Sequence, residues 1–463
     1  MHTIPLITHG SSDSVVAWRT AGSGVTVAVT RRQFLADVMA LADRYPAGQG
    51  LLNLCSDRYR FSVGLGAAIV TGRISLLPST HTPGVMRQIQ DYSPGVFCLT
   101  DNAECSLALP QLRYPDEQTN DSRDWPVPHI NARQTFAVLF TSGSTGEPQP
   151  HPKTWGSMVG CVKAEAECFG LTPGTACTLI GTVPPQHSYG FESTVHMAWQ
   201  NGFALSHTHP FYPADIVAAL AAVPAPRVLI SSPVHLRALI ESGVKTPELH
   251  LIVSATAPLT PELAHSIETY CNAPLMEIYG STETGQVASR RTAGSRTWRL
   301  FPGVRFARVS DDDGEGDDQR TRASGGHVEA PVIMSDLIEM LNDREFLLHG
   351  RLADMVNIAG KRHSLASLNH LLSNIPGVHD GAFYMPDASD TAANGLAARL
   401  AACVVAPTLD AQRLLTALRE HLDPVFLPRP LVFVRALPRN NTGKLPREAL
   451  QKLFQEHAAR SLP

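Results

Sequence analysis

The chain has 463 residues, 43% of them hydrophobic and 17% charged, and a net charge of −4. That length exceeds one ordinary core and predicts two or more domains, while the near-neutral balance gives no electrostatic reason to expect a nucleic-acid partner. No apolar run reaches the length of a membrane span, the best being residues 61–71 with Gly64 and Gly66 inside it, so no membrane insertion is expected. The eight cysteines form no C-x-x-C pair and the nineteen histidines do not cluster at ligand spacings, which argues against a zinc site or a disulfide framework. With no basic-then-apolar leader, the expectation is a reduced, cytoplasmic protein.

Over the first 130 residues, short apolar runs predict a helix at 33–41, a strand at 50–54, a helix at 58–71 and a strand at 74–77. Residues 112–133 are polar and dotted with proline, as in a long surface connection. From residue 134 strand and helix alternate regularly. An apolar strand, Phe136 to Phe140, enters Thr141-Ser142-Gly143-Ser144-Thr145-Gly146. A helix follows at 154–169, where Trp155, Met158, Val159 and Val162 share the 3.6-residue period. Next come a strand at 176–183, a loop at 184–192 containing His187 and Tyr189, and a helix and strand ending at Ser206-His207. Helices at 213–223, 234–242 and 260–270 then interleave with strands at 227–231, 249–254 and 275–279. Pro213 suits a first helical turn, and Thr260-Pro261 reads as an N-cap followed by an N1 proline. The acidic, glycine-rich stretch 311–318 reads as a solvated hairpin tip. The fold class is therefore α/β, with a large N-terminal domain (1–350) of layered, mainly parallel sheets with helices and a small α+β domain at 351–463.

Four stretches carry candidate chemistry. The hexapeptide 141–146 packs four hydroxyls and two glycines into six residues, and can turn N–H groups and hydroxyls toward one anion. Alone it is equally a Ser/Gly linker. It is not a Walker loop, since Glu147-Pro148 follows. Tyr279-Gly280-Ser281-Thr282-Glu283 lies just past a strand. There Tyr279 could stack on a base, Thr282 could bond a phosphate and Glu283 could hold Mg²⁺, although a turn with a solvated glutamate fits as well. Asp336 with Arg351 could bind a ribose, or form an ordinary surface pair. Asn440-Asn441-Thr442-Gly443-Lys444 is a turn whose lysine becomes interesting only as a cation delivered to a carboxylate–phosphate centre.

In this order the four pieces resemble the adenylate-forming superfamily of acyl- and aryl-CoA synthetases, adenylation domains and luciferases. The resemblance runs from residue 136 to 447. It implies a mobile C-terminal domain and a two-step reaction. A carboxylate attacks the α-phosphate of MgATP, giving an acyl-adenylate and pyrophosphate; a thiol of CoA or of an acyl carrier protein then takes the acyl group. On this resemblance Thr141 to Gly146 would hold the β- and γ-phosphates, and Thr282 the α-phosphate. Glu283 would coordinate Mg²⁺, and Thr256-Ala257-Pro258 with Tyr279 would flank the adenine. Asp336 and Arg351 would take the ribose, and Lys444 would bridge carboxylate and α-phosphate. Gly360 would line the pantetheine tunnel, and His187 would stand as a gate beside the acyl pocket. Cofactors would be ATP and Mg²⁺.

Two departures stand out. The family usually carries lysine where Gln149 follows the phosphate loop, with Lys153 four residues on, and Ala353 stands at the usual hinge position. The short chain and the continuation His151-Pro152-Lys153-Thr154-Trp155 resemble the hydroxybenzoate:acyl carrier protein ligases of aryl-polyene and xanthomonadin-type pigment pathways. A hydroxyaryl acid, best 3-hydroxybenzoate, needs a flat apolar pocket with a polar end, for which His187, Tyr189, Ser254 and Gln286 are candidates and His207 a weaker one. The alternatives are an aryl- or acyl-CoA synthetase using free CoA and, from another class, a non-catalytic nucleotide-binding scaffold.

Overall fold

The computed structural model describes residues 2–460 apart from 21–23, 79, 117–122, 143–147, 173, 310–319, 352–354, 359–360, 387–398 and 440–444. It has a mixed α/β fold. The chain divides into two compact units, Met1–Arg305 with Ala323–Val332, and Phe306–Arg322 with Ile333–Pro463. The second unit thus takes in residues 306–322 and 333–350, which the sequence reading placed with the N-terminal domain.

The first unit holds two large sheets. One runs in the order Pro148–Thr154, Thr135–Ser142, Ile74–Leu77, Gly50–Asn53, Phe97–Thr100, Gln111–Arg113. All its neighbours are parallel except the first pair. The second sheet has a parallel centre made of Leu275–Ser281, Leu251–Ser254, Arg227–Ser231, Thr178–Gly181, Ala204–Ser206 and Val15–Thr20. The strands of that centre are short apolar runs, as expected where helices cover both faces. Helices Pro213–Ala221, Pro233–Glu241 and Pro261–Cys271 each begin on a proline, whose missing N–H costs nothing at a first turn. Thr30, Asp57 and Thr154 cap the helices Arg31–Ala42, Arg58–Val70 and Trp155–Cys168 by accepting from the N–H three residues on.

Three departures from the sequence expectation bear on the site. The segment 148–154, read as loop and helix start, is a strand paired antiparallel with Thr135–Ser142. Three prolines in seven residues disguise it. They stand at 148, 150 and 152, so every missing N–H falls on the side away from the partner, and the strand lies at the sheet edge. The loop expected at 184–192 is in part helical: Ser188–Gly190 leads into a π-helical turn, Phe191–His196, and then Met197–Asn201. Such wide turns recur at functional sites. Finally, Gly285–Arg290 returns antiparallel on Leu275–Ser281, so the Tyr-Gly-Ser-Thr-Glu segment ends a strand and turns a hairpin.

The second unit contains the hairpin Asp336–Met340 with Glu345–Arg351. It also contains the sheet Asp380–Tyr384, Ala401–Val405, Leu431–Phe433 under helices Leu365–Ser373 and Ala411–His421. Its core includes Leu368, Leu372, Phe383, Val404, Leu414 and Leu418. The acidic stretch 311–318 lies outside the described residues.

Candidate active site

The site grows from how the first unit presents its strand ends. Phe136, on the strand that runs into the hydroxyl-rich segment 141–146, stacks on Phe191 at 5.9 Å and meets Trp155 edge-on at 5.4 Å. Strand, following helix and π-helical turn therefore share one aromatic core, and Trp155, Phe136 and Phe191 are fully buried. Burial of side chains this size is worth about 2 kcal/mol each and fixes the loops that leave them.

Thr141, next to last in its strand, has its hydroxyl 2.9 Å from His151 Nε2. Ser142 pairs through its backbone with Pro148, while Gly143, Ser144, Thr145 and Gly146 lie outside the described residues. On the returning strand Gln149, His151 and Lys153 alternate with the prolines and share a face. His151 reaches Glu283 Oε1 at 3.6 Å, and the Lys153 ammonium donates to the Glu283 carbonyl at 3.2 Å. The hairpin therefore brings the mouth of the hydroxyl-rich loop to the glutamate singled out from sequence.

Glu283 sits at the tip of the 275–290 hairpin. Ser281 and Thr284 cross-bond there, with the Ser281 N–H donating to Thr284 Oγ1 at 3.2 Å and the Thr284 N–H to Ser281 Oγ at 3.3 Å. Gly280 is obligatory: a Cβ there would stand 2.3 Å from the Gly285 carbonyl oxygen. The Glu283 side chain is 38% exposed. Partial burial works against its ionisation. Its own N–H, Ser281, and the charges of His151 and Lys153 nevertheless hold the carboxyl below its ordinary value. Burial pushes His151 below the usual imidazole value, more than Glu283 raises it. Among the described residues no three His, Cys, Asp or Glu side chains form a metal cage. One ionised, half-exposed carboxylate is instead the donor set Mg²⁺ takes when phosphates and water supply the rest.

Beneath this lies a buried polar layer that sequence reasoning missed. Glu192, in the π-helical turn, accepts from Ser188 Oγ at 2.7 Å and from the Cys161 thiol at 3.7 Å. Burial pushes its carboxyl up, and Lys153 is the largest opposing influence. Glu165, one turn beyond Cys161 on the Trp155–Cys168 helix, is fully buried, and desolvation pushes it up to about 8. Gln286 bridges Ser193 and Glu165. Its oxygen accepts from Ser193 Oγ at 2.7 Å, and its nitrogen donates to the two Glu165 oxygens at 3.3 and 3.0 Å. The only sequence signal was an i, i+4 Cys/Glu spacing on a face otherwise apolar.

The proposed acid-pocket residues divide. His187 caps the short 188–190 helix, its Nδ1 accepting from the Tyr189 N–H at 3.3 Å. Gly190 allows that turn, since a Cβ would meet the Pro184 carbonyl oxygen at 2.1 Å. Ser254, at the end of a central strand, is fully buried and its hydroxyl has no partner among the described residues, an arrangement expected where a ligand supplies one. The Tyr189 hydroxyl already donates to the Val253 carbonyl at 3.0 Å, and Gln286 is engaged as above. His207 is held at both ring nitrogens, by Asp57 at 2.7 Å and by the Thr20 N–H at 3.0 Å, and so braces the fold.

Thr256-Ala257-Pro258 follows the Leu251–Ser254 strand. Thr256 adopts φ 81°, a left-handed conformation that glycine enters freely and threonine does not. Tyr279 lies 5.6 Å from the Trp298 ring. In the second unit Asp336 stands opposite Arg351 in the hairpin register. Lys444 and Gly360 lie outside the described residues. No helix among those described is long and apolar enough to cross a membrane.

Residues 66–325 match the family described as AMP-binding enzymes. The chain is 30% identical over 317 residues to a 4-coumarate–CoA ligase from Rhodobacter capsulatus, covering 66% of this chain and 74% of that one. It is 29% identical over 324 residues to the same-named enzyme of Halorhodospira halophila, covering 68% and 76%. In fold it is similar to ATP-bound MatB from Rhodopseudomonas palustris, with 18% identity, 97% of each chain covered and a TM-score of 0.80. It is also similar to the O-succinylbenzoate coenzyme A synthetase MenE of Bacillus subtilis solved with ATP and magnesium ion, with 18% identity, 95% and 97% covered and a TM-score of 0.78.

Proposed function

The chain belongs to the AMP-binding enzyme family and is an AMP-forming acid–thiol ligase, and from that premise we propose that it activates an aromatic acid, best a hydroxybenzoate such as 3-hydroxybenzoate, using MgATP. The observation that carries the adenylating site is the meeting of Thr141, His151, Lys153 and Glu283 on two adjacent hairpins. The aryl substrate is supported by the 4-coumarate–CoA ligases among the relatives and by the unpartnered Ser254 hydroxyl at a strand end.

In the first half-reaction a carboxylate oxygen attacks the α-phosphorus as the bond to the β-phosphate oxygen breaks and pyrophosphate leaves. The 141–146 loop would bind the β- and γ-phosphates through N–H groups and hydroxyls, and Thr282 the α-phosphate. Glu283 would hold Mg²⁺, whose charge offsets that of the phosphates. Tyr279 and Thr256–Pro258 would flank the adenine, and Asp336 and Arg351 the ribose. Lys444 would bridge carboxylate and phosphate before the 351–463 domain turns. The thiol then adds to the adenylate carbonyl, loses its proton, and AMP departs; His187 would gate that approach and Gly360 would line it. As acceptor we favour the phosphopantetheine of an acyl carrier protein, on the resemblance of the 151–155 continuation. The relatives' names favour free CoA as the second reading.

ATP–pyrophosphate exchange across hydroxybenzoates, cinnamates and aliphatic acids tests the first step, and absence of exchange with every acid would sink it. Acceptor assays with holo carrier protein against CoA then separate the two thiols.

A further inference from the structure

The strand that leaves the phosphate loop carries its cation in an unusual place. Position 149 is glutamine, and the next lysine on that face is Lys153. A strand advances about 3.3 Å per residue, so residue 153 stands roughly 13 Å along from 149. Lys153 therefore does not reproduce a contact to the terminal phosphates. It is also buried, at 6% exposure, where an ammonium is tolerated only with close partners. Its ammonium bonds the Glu283 carbonyl at 3.2 Å. Its charge also opposes the upward push of burial on the Glu192 carboxyl, which is tied to the His187 loop through Ser188 and to the 155–168 helix through Cys161.

We propose that Lys153 is a positioning residue for Glu283, its buried ammonium clamping the main chain of the hairpin tip through the Glu283 carbonyl. This rests on the adenylating reading above. The charge missing at residue 149 is spent on aiming the metal carboxylate instead of on binding pyrophosphate. Such a clamp predicts that metal use depends on Lys153 while recognition of the acid does not.

The test compares Lys153→Met, Lys153→Arg, Glu192→Gln and the double variant Lys153→Met/Glu192→Gln. Two quantities are read: Mn²⁺ binding in the presence of ATP by electron paramagnetic resonance, and the Mg²⁺ dependence of exchange. Losing an outer partner of a metal ligand weakens metal affinity roughly 10- to 100-fold. Lys153→Met should raise both half-saturation concentrations by about tenfold and leave the KM for the acid within about twofold, with Lys153→Arg recovering most of the loss. Should Lys153→Met fail to fold because Glu192 is left unbalanced, the double variant, which removes both ionisable groups of this pair, folds and must still show the raised metal requirement. A folded Lys153→Met or double variant that binds Mn²⁺ within twofold of the unmodified enzyme overturns the proposal. Absence of exchange in the unmodified enzyme would strike the adenylating reading instead, and the Mn²⁺–ATP titration would still judge Lys153.

Discussion

Gly280→Ala is the smallest change that should disable the site. The added methyl would lie 2.3 Å from the Gly285 carbonyl oxygen, 2.7 Å from Gln286 Cα and 3.0 Å from the Gly285 carbonyl carbon. All three are backbone atoms, so no side-chain rotation relieves the contact. Ordinary contact begins at about 3.4 Å, and the two strands must therefore part by about 1 Å. Overpacking of this kind costs roughly 1–3 kcal/mol of stability, a few degrees of melting temperature in a protein this large. The catalytic loss is larger, because the displaced turn carries Thr282 and Glu283, and a misplacement of about 1 Å costs roughly 100-fold in rate. ATP–pyrophosphate exchange should fall about 100-fold in kcat/KM, while calorimetry shows a folded protein only slightly less stable. Exchange within threefold of the unmodified enzyme would refute the view that this tip aims Glu283.

Three further outcomes follow from the same contacts. Gln149→Lys places a cation on the face shared with His151 and Lys153; it should lower the KM for ATP about three- to tenfold at low salt and less at high salt, and an unchanged KM would argue that this face does not meet phosphate. Glu165 carries its proton up to about 8, against an ordinary carboxyl near 4.5. Its raised folded-state value means that its stabilising contribution is full below pH 4.5 and is lost as pH rises toward 8, by on the order of 5 kcal/mol. Glu165→Gln should flatten that decline in urea unfolding between pH 5 and 8, and parallel stability curves would contradict it. Arg58 is fully buried and donates to the carbonyls of Ser206, Thr208, Gly181 and Val183. Arg58→Met strands those acceptors at strand ends and should cost on the order of 4 kcal/mol by denaturant titration, with a loss under 1 kcal/mol refuting the brace.

Much of the fold was legible because its signals are local. The strands 74–77 and 227–231 are found where the apolar runs predict them, and helix starts such as Thr260-Pro261 announce themselves through capping chemistry. What stayed hidden depends on pairing. A strand bearing prolines at 148, 150 and 152 is unreadable by propensity, because its legality rests on a neighbour lying on one side only. The return strand 285–290 and the hairpin 336–351 likewise exist through their partners. The π-helical turn at 191–196 has no periodic signature of its own, since its width answers to the packing of Phe191 and Glu192.

The site shows the same division more sharply. Thr141, Thr282 and Glu283 stand out in the sequence as candidates because phosphate and metal chemistry demands hydroxyls, glycines and a carboxylate in short compass. The contacts of His151, Lys153, Glu192 and Glu165 were not legible, since they join parts distant along the chain: 130 residues separate Lys153 from Glu283. Read linearly, Gln149 looks like lost charge and a weakened enzyme. In the folded protein the edge strand aligns 149, 151 and 153, and the cation reappears against the Glu283 main chain. A binding loop can therefore depart from its usual residue without losing positive charge from its surroundings, provided that the period of its secondary structure returns the charge to the same face. The two-residue period of the strand, not the count of residues after the loop, decides which face Lys153 occupies. A lysine at 152 or 154, equally near in sequence, would point to the opposite side of the sheet.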